Sequence, residues 1–181
     1  FGVAALGQLV FVAYMALFYG PTMVDGEFAR WGQNKNLITG YQAGDAIGNL
    51  GFIVHIAAAL VLTLTGVAQL LPALRVRAPV VHRWSGRIFL ATAVFASIVG
   101  FWLVWVRGTQ SDLLNSLAIS LNGVLIILFA GLALRAALQR RIDVHQAWAM
   151  RLWLVANGVW FLRVGMAAFG AILVGALGQP R

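Results

Sequence analysis

Residues 47–106 read IGNLGFIVHIAAALVLTLTGVAQLLPALRVRAPVVHRWSGRIFLATAVFASIVGFWLVWV. Two apolar runs, 47–72 and 85–106, flank a short segment that holds Arg75, Arg77 and Arg83. Each run meets the roughly 20 apolar residues that a helix needs to cross a bilayer. Period-two alternation is absent, and Ala, Leu and Gly are plentiful. Lipid offers no partner to an open strand edge, so runs of this kind are helices. The stretch therefore predicts two membrane helices joined by a tight basic turn.

The rest of the chain extends the pattern. Further apolar runs at 1–19, 113–134 and 148–176 bring the expected number of spans to five. The fold class is an all-α membrane protein, one helical bundle over 1–181, with residues 20–46 as an outer loop. The 1–19 run lacks a basic leader and an A-x-A cleavage site, so it reads as a retained span rather than a signal peptide.

Composition excludes a soluble domain. Among 181 residues, 61% are hydrophobic and 10% charged, with a mean hydropathy of +0.87. Soluble domains carry roughly a quarter charged residues. Thirteen cations against five acids give a net charge of +8. With so little polar surface, that excess reads as membrane topology and not as nucleic-acid binding. There is no cysteine, which removes disulfides, thiolate metal sites and a thiol nucleophile.

The cations sort by side. Arg75, Arg77, Arg83, Arg87, Arg135, Arg140, Arg141 and Arg151 fall on one side of the expected bundle. Arg30, Lys35, Arg107 and Arg181 fall on the other, with Asp25, Glu27, Asp45 and Asp112. The positive-inside rule puts the arginine-rich side and the N-terminus in the cytoplasm, as in a multi-pass protein of the bacterial inner membrane. Trp84 and Trp148 then mark the inner interface, and Trp102 and Trp105 the outer one. Gly44 and Gly48 have the spacing for a close helix contact. The outer loop is long enough to pack on the protein or to carry a function.

Three histidines carry the candidate chemistry. His82 and His145 begin the third and fifth spans at the inner interface. His55 lies inside the second span. Arg163 is 18 residues, or five turns, beyond His145, so a regular helix puts both on one face and raises Arg163 to the depth of His55. An arginine at membrane depth is costly and marks a functional site by default; snorkelling outward is the bland alternative. Two clusters are expected. The inner one holds His82, His145, Arg83, Arg87 and Arg151. The outer one holds His55 and Arg163, with Asn115 or Asn122, and Gln69 and Asn157 lie between the two.

Two neutral imidazoles on neighbouring helices can ligate one haem iron, and flanking arginines can pair with its propionates. A histidine at a helix start more often serves as an interfacial or capping residue. A bare metal site is short of ligands, because Asp143 is the only nearby acid. Gly-x-Ser-x-Gly, His-Glu-x-x-His and P-loop motifs are missing, and no carboxylate pair lies within the spans. Hydrolytic and ATP-driven activity therefore have no sequence support, and an enzyme is not the expected reading.

The residues His55, the run from Gln69 to Arg75, His82-Arg-Trp-Ser-Gly-Arg87, the run from His145 to Arg151, and Arg163 resemble an uncharacterised bacterial family of predicted multi-span membrane proteins, a domain of unknown function. The resemblance covers residues 48–170, and His-Arg-x-x-Gly-Arg is its most specific element. A more distant resemblance is to the ascorbate-reducible transmembrane cytochromes b, which carry similar His-Arg-x-x-Gly stretches and hold two haems between helices two apart in sequence. That resemblance implies His82 and His145 as one haem pair. His55 would need a histidine in the fourth span, which has none, so one haem or none is implied.

Two functions follow as expectations. One is a redox-type membrane protein that binds haem b or quinone, with His55 and Arg163 donating to quinone carbonyls. The other is an accessory subunit of a larger membrane complex, respiratory or photosynthetic, whose polar clusters hold helices together or bind lipid headgroups. A small transporter is disfavoured by the lack of an inverted repeat. Membrane lipid and other membrane subunits are the expected partners. The topology predicts that cysteines placed at Ser111 and Gln139 label from opposite sides of the membrane. Labelling of both from one side would overturn it.

Overall fold

The computed structural model describes residues 2–33, 40–108 and 112–177. Lys35, Ser111, Arg181 and the side chain of Arg163 lie outside the described residues. Among those residues the chain is helical throughout: α1 (Gly2–Asp25), a 3-10 helix (Phe28–Gln33), α2 (Ala46–Leu70), α3 (Pro72–Arg77), α4 (Pro79–Trp105), α5 (Leu113–Leu138), α6 (Ile142–Ala156) and α7 (Gly158–Leu177). Four of them, α1, α2, α4 and α5, are long and apolar enough to cross a membrane.

Helix ends follow local chemistry. Asp45 caps α2 by accepting from the Gly48 amide at 2.8 Å, and Asp112 caps α5 by accepting from Leu114 and Asn115. Pro72 and Pro79 begin α3 and α4, where a missing N–H costs nothing. That is why α4 starts at Pro79, six residues before the 85–106 run expected from hydropathy. At the end of α5, Arg140 adopts φ 58°. Its amide donates to Ala137 O and that of Arg141 to Ala136 O, both at 3.0 Å, the Schellman pattern that turns the chain into α6.

The expected fifth span, 148–176, is not one continuous helix. It is divided at Asn157, which separates α6 from α7. Asn157 is buried, and its Nδ2 donates to Trp153 O at 2.8 Å, beside the backbone N–H that reaches the same carbonyl at 3.2 Å. A side chain inserted into the helical ladder bends it, and Gly158 follows without a Cβ to resist.

Two clusters make the core. Leu62, Phe89, Ala93, Ile126, Ala130, Leu152 and Trp153 join α2, α4, α5 and α6. Met15, Tyr19, Trp31 and Ile56 join α1 and α2 to the 3-10 helix. Trp31 is wholly buried among Tyr19, Phe28 and Phe52, and its indole N–H donates to Thr22 Oγ1 at 2.5 Å. Part of the long loop is therefore packed on the protein. The expected Gly44/Gly48 helix contact is replaced by something else. Gly44 precedes α2 with φ +82°, and the space over Gly48 is filled by the Asp45 carboxylate and the Arg107 guanidinium.

Glycine lets α4 approach α2. A Cβ on Gly51 would lie 2.6 Å from the Trp102 ring. Gly51→Val is therefore expected to cost about 1–3 kcal/mol by overpacking. The check is the unfolding midpoint in detergent, with Gly131→Ala, where a Cβ meets open space inside α5, as the control that should not lose stability.

Candidate functional site

The arginine-rich end gathers the starts of α3, α4 and α6. His82 lies close enough to Arg75, Arg83 and His145 for their charges to act on its ring. Gln69 of α2 braces this level. Its Nε2 donates to His82 O at 3.0 Å and to Ser85 Oγ at 2.6 Å, and Ser85 Oγ in turn donates to His82 O. Gln69 thus belongs to the His82 level, not to a midpoint between clusters. Gly86 permits this, since a Cβ there would meet Gln69 Oε1 at 3.1 Å.

His145 is held differently. Its Nδ1 lies 2.9 Å from Ala133 O, a fully buried position on α5. A carbonyl only accepts, so Nδ1 carries a proton, and it is in the neutral ring that Nε2 offers a lone pair. On His82, Nδ1 is buried and has no partner. About two turns deeper on the same faces, Phe89, Leu152 and Trp153 close the interior with apolar rings and side chains. The histidine level thus has an apolar floor and a basic rim.

Arg83, Arg87 and Arg151 are all exposed at that rim. Arg87 and Arg151 do not turn to the histidines. The Arg87 guanidinium carbon lies 4.9 Å from the Trp84 ring centroid, and that of Arg151 lies 4.8 Å from the Trp148 centroid. Helical spacing explains it. At about 100° per residue, Arg87 is rotated about 140° from His82, and Arg151 about 120° from His145. Each stacks on the tryptophan three residues before it.

The second expected cluster is not assembled in the same way. His55 sits between α2 and α4, beside the Ala96 carbonyl, with its Cε1 3.5 Å from where a Cβ on Gly100 would stand. Its Nδ1 is buried without a partner. Asn122 lies by Gly158, and Asn115 is exposed in the first turn of α5. The register that linked His145 to Arg163 assumed one regular helix, and the break at Asn157 removes that premise.

Three features escaped the sequence reading. Gln8 of α1 is fully buried with neither amide atom bonded. Trp153, with its indole N–H unpartnered, lies against Gly66 of α2. At the opposite end of the bundle, Arg107 is 3% exposed and ties the loop before α2 to the end of α4. Its Nε donates to Asp45 Oδ2 and its Nη2 to Asn49 Oδ1, both at 2.8 Å. Asn49 completes the knot through paired bonds with the backbone of Gln42. An open cleft of about 300 Å³ lies against it, lined by Gln42, Asp45, Ile47, Trp102 and Arg107. Arg107 and the Gly48 amide hold the Asp45 carboxyl below its ordinary value of 3.8.

The family described as predicted membrane protein DUF2306 matches residues 52–177, which run from α2 to α7 and include all three histidines. No curated protein and no solved structure matches the chain. The match covers more than half of the sequence, and the chain belongs to the DUF2306 family of membrane proteins.

The Asp45–Arg107 pair has a defined pH signature. A depressed carboxyl stabilises the fold above its unfolded value of 3.8 and loses that contribution as pH falls through the lower folded value. Asp45→Asn should therefore lower the unfolding midpoint at pH 7. The gap to wild type should close as pH drops below 3.8, measured as paired thermal scans in one detergent. A gap that stays constant through acid would contradict this assignment.

Proposed function

We propose that this DUF2306 protein is a redox-type integral membrane protein whose His82 and His145 hold one haem b at the arginine-rich end of the bundle. The observation that carries the reading is the bond from His145 Nδ1–H to Ala133 O. It fixes the ring orientation and aims an Nε2 lone pair away from the backbone, as a carbonyl partner does for ligating histidines. His82 is near enough to feel the charged form of His145, and its backbone is pinned by Gln69 and Ser85. A bound haem would supply one-electron transfer there.

The chain's own residues divide the remaining work. Phe89, Leu152 and Trp153 exclude water from the inner side of the histidine level. Arg75 and Arg83 supply positive charge next to His82, where a carboxylate edge would be neutralised. Arg87 and Arg151, stacked on tryptophans, contribute to the field but not to that contact.

His55 supports a second ligand class. A buried, unpartnered ring nitrogen inside α2 can hydrogen-bond a quinone headgroup, with Arg163 as the sequence-based partner. The accessory-subunit reading differs from both, since it needs neither a haem nor a quinone.

The decisive measurement is a reduced-minus-oxidised absorbance spectrum of protein purified from its native membrane, with extraction of bound quinone in parallel. A b-type band that is lost in His82→Ala and in His145→Ala, and kept in His55→Ala, is the expected result. A band retained in either of the first two variants would reject the axial pair. Absence of both band and quinone, with fixed-stoichiometry co-purification of other subunits, would favour the accessory role.

A further inference from the structure

We infer that the two arginine–tryptophan pairs, Trp84/Arg87 on α4 and Trp148/Arg151 on α6, are matched binding sites for the phosphate of anionic phospholipid headgroups. The first ground is charge without partners. Among the described residues the ion pairs are Arg30–Glu27 and Arg107–Asp45, neither at this end. All eight arginines of this end are exposed, and Asp143 is the one acid beside them. Exposed cations in this number need counter-ions, and a membrane surface supplies them as lipid phosphate.

The second ground is depth. Both arginines are the last cations before the apolar part of their helices. Beyond Arg87, residues 88–106 carry no charge and rise about 28 Å, close to the thickness of a hydrocarbon core. Counted from the helix starts, Arg87 stands about 12 Å and Arg151 about 13.5 Å along the axis. Each guanidinium thus stands where the charged start of its helix gives way to the apolar part, the zone in which phosphates lie. Trp84, 58% exposed, has its ring at the depth favoured by interfacial indoles.

The third ground is geometry. A guanidinium laid over an indole face is oriented by the ring, and its N–H edges remain free for a bidentate contact with a phosphate. Lysine, a point charge on a flexible stem, would not be fixed in this way. The remaining arginines of this end have no such platform, and they attract the same surface without orienting on it. The inference does not depend on the haem reading, because Arg87 and Arg151 face away from the histidines.

The experiment compares two double variants with equal charge loss: Arg87→Gln/Arg151→Gln and the control Arg77→Gln/Arg141→Gln. Each protein is placed in phosphatidylcholine nanodiscs, and retention of added phosphatidylglycerol is followed by native mass spectrometry. The first pair should lose about tenfold in retention, and the control about twofold or less. Trp84→Leu/Trp148→Leu, which keeps every charge, should fall between them. Equal losses in both arginine pairs would reduce the effect to net charge and overturn the sites. Unchanged retention in Arg87→Gln/Arg151→Gln would overturn them directly. Competition by millimolar inorganic phosphate would show that free phosphate, not lipid, is the ligand. A circular dichroism melt of each variant separates lost lipid from lost fold.

Discussion

A backbone N–H or C=O left open in hydrocarbon costs several kcal/mol, and that constraint decides where this chain can turn. Apart from the break at Asn157, turns among the described residues lie at the two ends of the bundle, and the two ends solve the problem differently. At one end the helix starts are capped by carboxylates, Asp45 for α2 and Asp112 for α5. At the other, α3 and α4 begin on prolines and α6 follows Arg141, none with a side-chain cap bond. Helix N-termini carry partial positive charge. Acids therefore neutralise it for α2 and α5, whereas at the other end only α6 has an acid, Asp143, in its first turn.

Inside the bundle, close approach depends on rings seated in glycine notches. Trp102 fills the space over Gly51, Trp160 that over Gly7, Phe101 that over Gly123, and Trp153 with Phe89 that over Gly66. Lipid tails are as apolar as these side chains, so association gains little from hydrophobicity and much from packing. This arrangement also fixes the site. Trp153 and Phe89, which meet over Gly66, are the floor beneath His82 and His145.

Much of this was legible in hydropathy and charge. Four spans, their helical nature and the basic turns follow from run lengths and arginine positions. Other features were hidden for identifiable reasons. The 148–176 run is apolar on both sides of Asn157, so nothing in its hydropathy betrays the break; only the local competition of an amide for a carbonyl does. The start of α4 was placed late because Arg83 and Arg87 interrupt the apolar run, although Pro79 is a standard first residue of a helix. Arg107 meets Asp45 across 62 positions, a pairing that no local pattern encodes. The histidines were found by chemistry and depth, but the orientation of Arg87 and Arg151 required the helical angle between each and its histidine.

The two ends also differ in how their polar groups are satisfied. Arg107 is sunk to 3% exposure and meets a carboxylate, a side-chain amide and a backbone carbonyl. A cation satisfied by its own chain is a structural latch, and its removal would be felt as lost stability. The opposite end holds exposed arginines without carboxylates, a histidine nitrogen with a free lone pair and another with no partner at all. Folding alone does not require such groups, since an apolar residue of similar size would cost less. Polar groups are thus matched within the chain around Arg107, whereas the His82 ring nitrogen and the exposed arginines at the other end are not.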